Sequence, residues 1–245
     1  MKVISLGWGV QSFTMAAMVA LGELEPVDAA IHADTTHERS ATYEFAKRWT
    51  PWLEEHGVKV VTVQDDKPQP INEYGGVMIP AFTQGMLSRQ CTANWKRAPM
   101  RRWLQKNRDG ESIEMLLGIS WDEMQRMKQS DVKYISHHWP LIDRRITRQG
   151  CTTWLLSHDL EVPVKSSCIF CPYHNKAAWR ELRLNGNGDW QKAIEVDEAI
   201  RKARPPYDLF VHPSRFPLRK VGENLDAQPN LFDMSSEECS GVCFV

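Results

Sequence analysis

Val3-Ile4-Ser5-Leu6-Gly7-Trp8-Gly9-Val10-Gln11-Ser12 runs from a short apolar stretch into a glycine turn. The apolar stretch, Val3 to Leu6, reads as a buried strand, and Gly7-Trp8-Gly9 as the tight turn that ends it. From Ser12 to Leu24, Phe13, Met15, Ala16, Met18, Val19 and Leu21 recur at helical spacing, with Ser12 placed to cap the helix. A strand, a glycine turn and a helix start make an anion site. Glycines let backbone amides approach a phosphate, and the helix N-terminus adds unpaired N–H donors and the positive end of its dipole. The loop lacks the Gly-Lys-Ser/Thr of a Walker loop. It also lacks the third glycine of a dinucleotide fingerprint, because Ser12 stands there. An ordinary strand-to-helix turn that uses glycine is the plain alternative.

Outward from this loop the pattern repeats. Ala29 to Ala33 is a second strand, Thr42 to Gly57 an amphipathic helix carrying Pro51, and Val58 to Val63 a third strand. Strand, helix, strand, helix, strand predicts a doubly wound α/β fold: a mostly parallel sheet with helices on both faces. Asp65 to Gln90 reads as Pro- and Gly-rich loops, and Trp95 to Lys106 as a basic helix with Pro99 inside it. Ile113 to Ile119 is a fourth strand, and Thr152 to His158, Ala177 to Leu184 and Asp189 to Arg204 are helices. Beyond Pro205-Pro206 the chain turns polar and irregular, and Asn230 to Val245 reads as a mobile tail. A nucleotide-binding domain over 1–180 and a helical extension with its tail over 181–245 are expected.

The bulk numbers set bounds. With 42% hydrophobic and 25% charged residues among 245, the chain can bury a sizeable core. Thirty basic and 31 acidic residues exclude a strongly basic coat, so any nucleic-acid contact must be local. The ten tryptophans read as structural. No signal peptide and no membrane span is visible, and a cytoplasmic protein is expected. In that compartment the six cysteines are candidates for metal, cluster or catalysis before disulfides.

Cys168-Ile169-Phe170-Cys171 is followed by Pro172 and His174. Two thiolates at this spacing are half of a Zn²⁺ site, and Cys91, Cys151 and His174 could complete it. Three cysteines would suit a 4Fe-4S iron–sulfur cluster instead, and unliganded cysteines packing as small hydrophobes are the plain alternative. Asp34 and Glu38 follow the second strand, where a carboxylate could hold Mg²⁺ against phosphates or accept from ribose; helix capping is the other role open to Asp34. Lys96 and Arg97 head a basic stretch that could meet nucleotide phosphates or a nucleic-acid backbone, whereas solvated helix charge accounts for most of its neighbours.

Three blocks carry a family resemblance. Gly7-Trp8-Gly9-Val10-Gln11-Ser12 resembles the pyrophosphate loop of the adenine nucleotide alpha-hydrolase (PP-loop) superfamily, and departs from its Ser-Gly-Gly-x-Asp-Ser at Gly7, Trp8 and Gln11. Glutamine before the serine is similar to the phosphoadenylyl-sulfate (PAPS) reductase-like branch, which includes phage proteins and the DNA phosphorothioation enzyme. Ala33-Asp34-Thr35-Thr36-His37-Glu38 resembles that family's Asp-Thr-Gly-x-Glu block. Gly118-Ile119-Ser120-Trp121-Asp122-Glu123, with Arg126, resembles its Gly-Ile/Leu-Arg-x-Asp-Glu-x-x-Arg block. The resemblance implies an adenine nucleotide, ATP with Mg²⁺ or PAPS. The implied contacts are Ser5, Gly7 to Ser12, Asp34, Thr35, Glu38, Gly118, Ser120, Asp122, Glu123 and Arg126. It also implies two chemistries. In one, ATP adenylates an acceptor, which could be a nucleic acid. Sulfur from a donor such as a cysteine desulfurase, carried by a cluster on Cys91, Cys168 and Cys171, then displaces AMP. In the other, a tail thiol takes the sulfonate of PAPS and a thioredoxin-like partner releases sulfite. Glu238-Cys239-Ser240-Gly241 is similar to the Glu-Cys-Gly-Ile/Leu-His that carries that thiol, without the histidine and with Cys243 added. A nucleotide-sensing or zinc-stabilised interaction module is the non-catalytic alternative.

Overall fold

A computed structural model of the chain describes residues 1–225. Five strands form one parallel sheet: β1 (Lys2–Ser5), β2 (Ala29–Asp34), β3 (Val60–Gln64), β4 (Ile113–Leu116) and β5 (Ile135–His138). Their order is β3-β2-β1-β4-β5, so the chain runs outward from β1 on one side, returns, and builds outward on the other. The register places Val3 beside both Ala29 and Met115.

Side-chain alternation explains why both faces are covered. Ile4, Leu6, Ala30 and Leu116 point into one core with α1 (Val10–Ala20), α2 (Ser40–Glu55), α4 (Pro140–Asp143) and α5 (Arg148–Ser157). Val3, Ala29, Ile31 and Met115 point into the other, under Leu104 of α3 (Ala98–Asn107). Strands buried on both sides read as unbroken apolar runs, as these do. The doubly wound architecture predicted from the sequence is the one observed.

The differences are local. The fifth strand, Ile-Ser-His-His, is absent from the sequence prediction because only Ile135 and His137 of its four residues face inward and the strand lies at the sheet edge. Pro99 lies in the first turn of α3, where its missing N–H takes no bond away. Residues 92–97 before it form a π-helical stretch rather than α-helix. Ser12 does not cap α1. The helix begins two residues earlier, with Gly9 at the cap position.

A second core lies beyond the sheet. Ile79, Ala81 and Trp95 join Phe170 and residues of α6 (Lys176–Asn185), α7 (Asp189–Ile200) and α8 (Leu218–Leu225). Position 181, the expected start of the extension, lies inside α6. The segment after Pro206, expected to be irregular, is anchored. The buried Asp197 carboxylate accepts the backbone N–H groups of Val211 and Leu218 at 2.9 Å each and pairs with Arg201. Leu209, Val211, Leu218 and Val221 are thereby held in the core. The tail cysteines Cys239 and Cys243 lie outside the described residues.

Candidate active site

In an open parallel sheet, ligands bind beyond the carboxyl ends of the strands, where the winding reverses. Here that point lies between β1 and β4. A cleft of about 1320 Å³, counted out to open solvent, opens there. One wall is the loop after β1 and the start of α1: Ser5, Gly7, Gly9, Val10, Gln11 and Ser12, with Gly118 after β4.

The first-turn amides of α1 have no acceptor within the helix, and no side chain caps them. They form the candidate anion cradle. What shapes the cradle differs from the expectation. The left-handed residue is Trp8, at φ 54°, not a glycine. Trp8 is 2% exposed and packs edge-on to His32 and Phe45 and tilted against Phe13. Its indole therefore anchors the turn in the core and does not line the cleft. Ser12 Oγ accepts from the Gly7 amide at 3.1 Å and donates to the Gly9 carbonyl at 3.2 Å, tying the loop to the helix it leads into. Gly118 is required by contact: a Cβ there would stand 2.8 Å from Ser12 N and 3.0 Å from Ser12 Cα.

The third sequence block closes on the first. Gln11 Nε2 donates to Glu123 Oε2 at 3.2 Å, and Arg126 holds the same oxygen at 2.7 Å. Glutamine at position 11 is thus a donor matched to a buried carboxylate. Ser120 is fully buried beside Gln11, and Asp122 accepts the Arg148 amide at the start of α5 at 3.0 Å. Neither lines the cleft.

The opposite wall comes from residues far apart in sequence: Ile79 and Pro80, Arg89 to Lys96, and Lys165 to His174. The Cys168 turn is stitched to the loop after β2. Glu38 and Cys168 pair as an antiparallel bridge, and the Ile169 amide donates to the His37 carbonyl at 2.8 Å. Thr35, 1% exposed, contacts Cys168 Sγ through its hydroxyl at 3.4 Å. Glu38 sits just behind the cleft. Lys96 pairs with its Oε1 at 3.1 Å, and Ser166 Oγ reaches its Oε2 at 3.4 Å. Asp34 takes the turn role: it accepts from the Thr36 amide at 2.7 Å and from the Tyr43 hydroxyl at 2.8 Å. Burial and this bond push the Tyr43 phenol far above its ordinary value.

Cations dominate the lining: Arg89, Lys96, Arg126, Arg148 and Lys165, against the Glu123 carboxylate. Arg89, Arg148 and Lys165 carry no local sequence signal that sets them apart from solvated charge, and only the chain's packing gathers them. Arg97 faces elsewhere, into a groove with Arg101 and Asp131 on the far side of α3.

Cys91, Cys168, Cys171 and His174 all line the cleft. Cys151 does not. It is buried in the core between α1 and α5, where burial pushes its thiol up to about 11. Among the described residues no three Cys, His, Asp or Glu groups stand together as metal ligands. His174 Nε2 is already bonded to Ser167 Oγ at 2.8 Å.

Burial, then the charges of Arg39 and Lys165, pull the His174 imidazole down to about 3. The folded chain keeps this ring neutral, whereas the unfolded chain protonates it below its ordinary 6.5. Its stabilising effect is therefore complete above about pH 6.5 and is lost as pH falls toward 3, at about 1.4 kcal/mol per pH unit. His32, His37 and His212 are held below their ordinary value by burial too, so urea melts at pH 7, 5.5 and 4.5 should show a steeper total slope, which His174→Gln should reduce by about 1.4 kcal/mol per pH unit. An unchanged slope in the variant would sink the assignment.

No helix among the described residues is long and apolar enough to cross a membrane. No protein-family model matches the chain, and no curated protein sequence matches it. Among solved structures, the chain is similar to phosphoadenylyl-sulfate reductase from Candida auris in its phosphate complex. The TM-score is 0.46 at 12% identity, covering 66% of this chain and 74% of that one.

Proposed function

We propose that the chain is an enzyme that binds a phosphorylated adenine nucleotide with its anionic end on the start of α1, and that it acts on sulfur at that end. One observation carries the reading: an uncapped helix N-terminus and three thiols, Cys91, Cys168 and Cys171, face the same cationic cleft. Amides and cations there would stabilise a departing phosphate, which is where charge develops.

The chemistry this favours is reduction of a sulfonucleotide such as PAPS. A thiolate attacks the sulfonate sulfur, the S–O bond breaks, and the nucleotide leaves with its phosphate oxygen charged. This needs no divalent cation, and the carboxylates near the cleft are already engaged: Glu38 by Lys96, Glu123 by Gln11 and Arg126, Asp34 by Tyr43 and Thr36. The attacking thiol is either Cys239 of the tail, the group the family resemblance implies, or one of the three cysteines that line the cleft.

Adenylation of an acceptor by ATP, followed by sulfur transfer, is the second reading. The strength of the cation lining, which suits a triphosphate, favours it. Magnesium would then be held chiefly by the phosphates themselves.

Equilibrium dialysis with PAPS, adenosine 5′-phosphosulfate, ATP and AMP tests the binding. Gln11→Ala, which leaves Glu123 without one donor, should weaken all four by about tenfold, ~1.4 kcal/mol. Sulfite assayed with a dithiol reductant, against pyrophosphate release with RNA or DNA acceptors, separates the two chemistries. Failure of every nucleotide to bind would overturn the proposal.

A further inference from the structure

Cys168 and Cys171 belong to one tight turn. The Cys171 amide donates to the Cys168 carbonyl at 3.0 Å. A turn closed this way holds its end Cα atoms within about 7 Å, the separation over which a disulfide can close without moving the backbone. Burial, and then the Glu38 carboxylate, push the Cys168 thiol well above its ordinary value, and a charge on the Cys171 sulfur adds to this, so of the two Cys168 is the one that stays protonated at rest. Both residues line the cleft, and both are thiols in this structure. The turn is pinned from behind by the Glu38–Cys168 bridge and the Ile169–His37 bond, so its ends keep their spacing. No third ligating group joins them among the described residues. A dithiol at this spacing, lining a ligand cleft, has the geometry of a redox couple.

We infer that Cys168 and Cys171 form a dithiol–disulfide couple in the wall of the cleft and pass two electrons to sulfur bound there. The couple follows from the turn; only the identity of its electron acceptor rests on the function proposed above. With a sulfonucleotide, the Cys171 thiolate attacks the sulfonate sulfur. The S–O bond breaks and the nucleotide phosphate departs, leaving an S-sulfonate on Cys171. Cys168, losing its proton as it attacks, then bonds to Cys171 Sγ and breaks the bond from that sulfur to the sulfonate, releasing sulfite and closing the Cys168–Cys171 disulfide. Two thiols are oxidised, one sulfonate is reduced to sulfite, and the two thiol protons leave to solvent. An external dithiol restores the couple by exchange.

The test uses the full chain, reduced and freed of reductant. Treatment with oxidised glutathione, alkylation and peptide mapping should give a Cys168–Cys171 disulfide about 2 Da lighter than the dithiol, fully reopened by dithiothreitol. One equivalent of PAPS or adenosine 5′-phosphosulfate, with no other reductant, should give one sulfite per chain and the same disulfide. Cys168→Ser should stop at an S-sulfonate on Cys171 and release no sulfite. Three results would overturn the inference. In the first, both thiols stay alkylatable after glutathione. In the second, sulfite is released while both remain thiols and Cys239 carries the change. In the third, stoichiometric zinc or iron with sulfide is lost in Cys168→Ser. Nucleotide binding, followed by dialysis in parallel, separates failure of the proposed function from failure of the couple: the glutathione result stands whether or not a nucleotide binds.

Discussion

Replacing Lys96 by alanine should destabilise the fold by about 3–5 kcal/mol, because it leaves a buried carboxylate without its cation. The Glu38 side chain is 1% exposed and that of Lys96 18%. Glu38 cannot turn to water: its backbone is paired with Cys168, and Ser166 occupies its second oxygen. The penalty comes from the stranded charge rather than from the lost contact, so removing that charge should recover much of it. The double variant Glu38→Gln with Lys96→Ala is expected to unfold at a higher urea concentration than Lys96→Ala alone. Glu38→Gln alone should cost less than Lys96→Ala, since the lysine it strands can reach solvent. If Lys96→Ala shifts stability by less than about 1 kcal/mol, the value of an exposed pair, the Glu38–Lys96 pair is not the buried strut described here.

Gly118→Val should abolish nucleotide binding, with a loss of at least about a hundredfold, ~2.7 kcal/mol. Even a Cβ at this position meets the Ser12 backbone at 2.8 and 3.0 Å, and neither contact belongs to a flexible side-chain end. The loop after β4 or the start of α1 must move, and the cradle's amides move with it. Overpacking of this kind also costs about 1–3 kcal/mol of stability. Gly9→Ala is the control. Its Cβ would stand 3.6 Å from Ser166 Cβ, an ordinary contact, and Gly9 has φ −90°, open to any residue. Equal losses in the two variants would mean that the loop needs glycine for flexibility rather than for the approach of β4 to α1.

These two positions show how unevenly the site is written in the sequence. Gly7 to Ser12 is legible because strand, turn and helix start are consecutive, and a run of about ten residues carries the whole motif. Gly118 is legible only through family resemblance, since its reason is Ser12, which lies far away in the chain. Lys96 and Glu38 each stand in a readable segment, yet nothing local says that they pair. Trp8 reads as one more loop residue, although packing makes it the left-handed anchor of the turn.

By itself the sequence determined the doubly wound α/β class, the strand, turn and helix start around Gly7 to Ser12, and the Cys168–Cys171 spacing. Each is fixed by short-range chemistry: side-chain period, glycine in turns and helix-end donors. The tertiary structure alone decided that β5 closes the sheet, that Asp34 serves a turn, that Cys151 is core, and that Arg89, Arg148 and Lys165 gather with three thiols around one cleft. Those outcomes depend on which distant surfaces bury each other, and an isolated charge or thiol carries no periodic signal of the wall it will join.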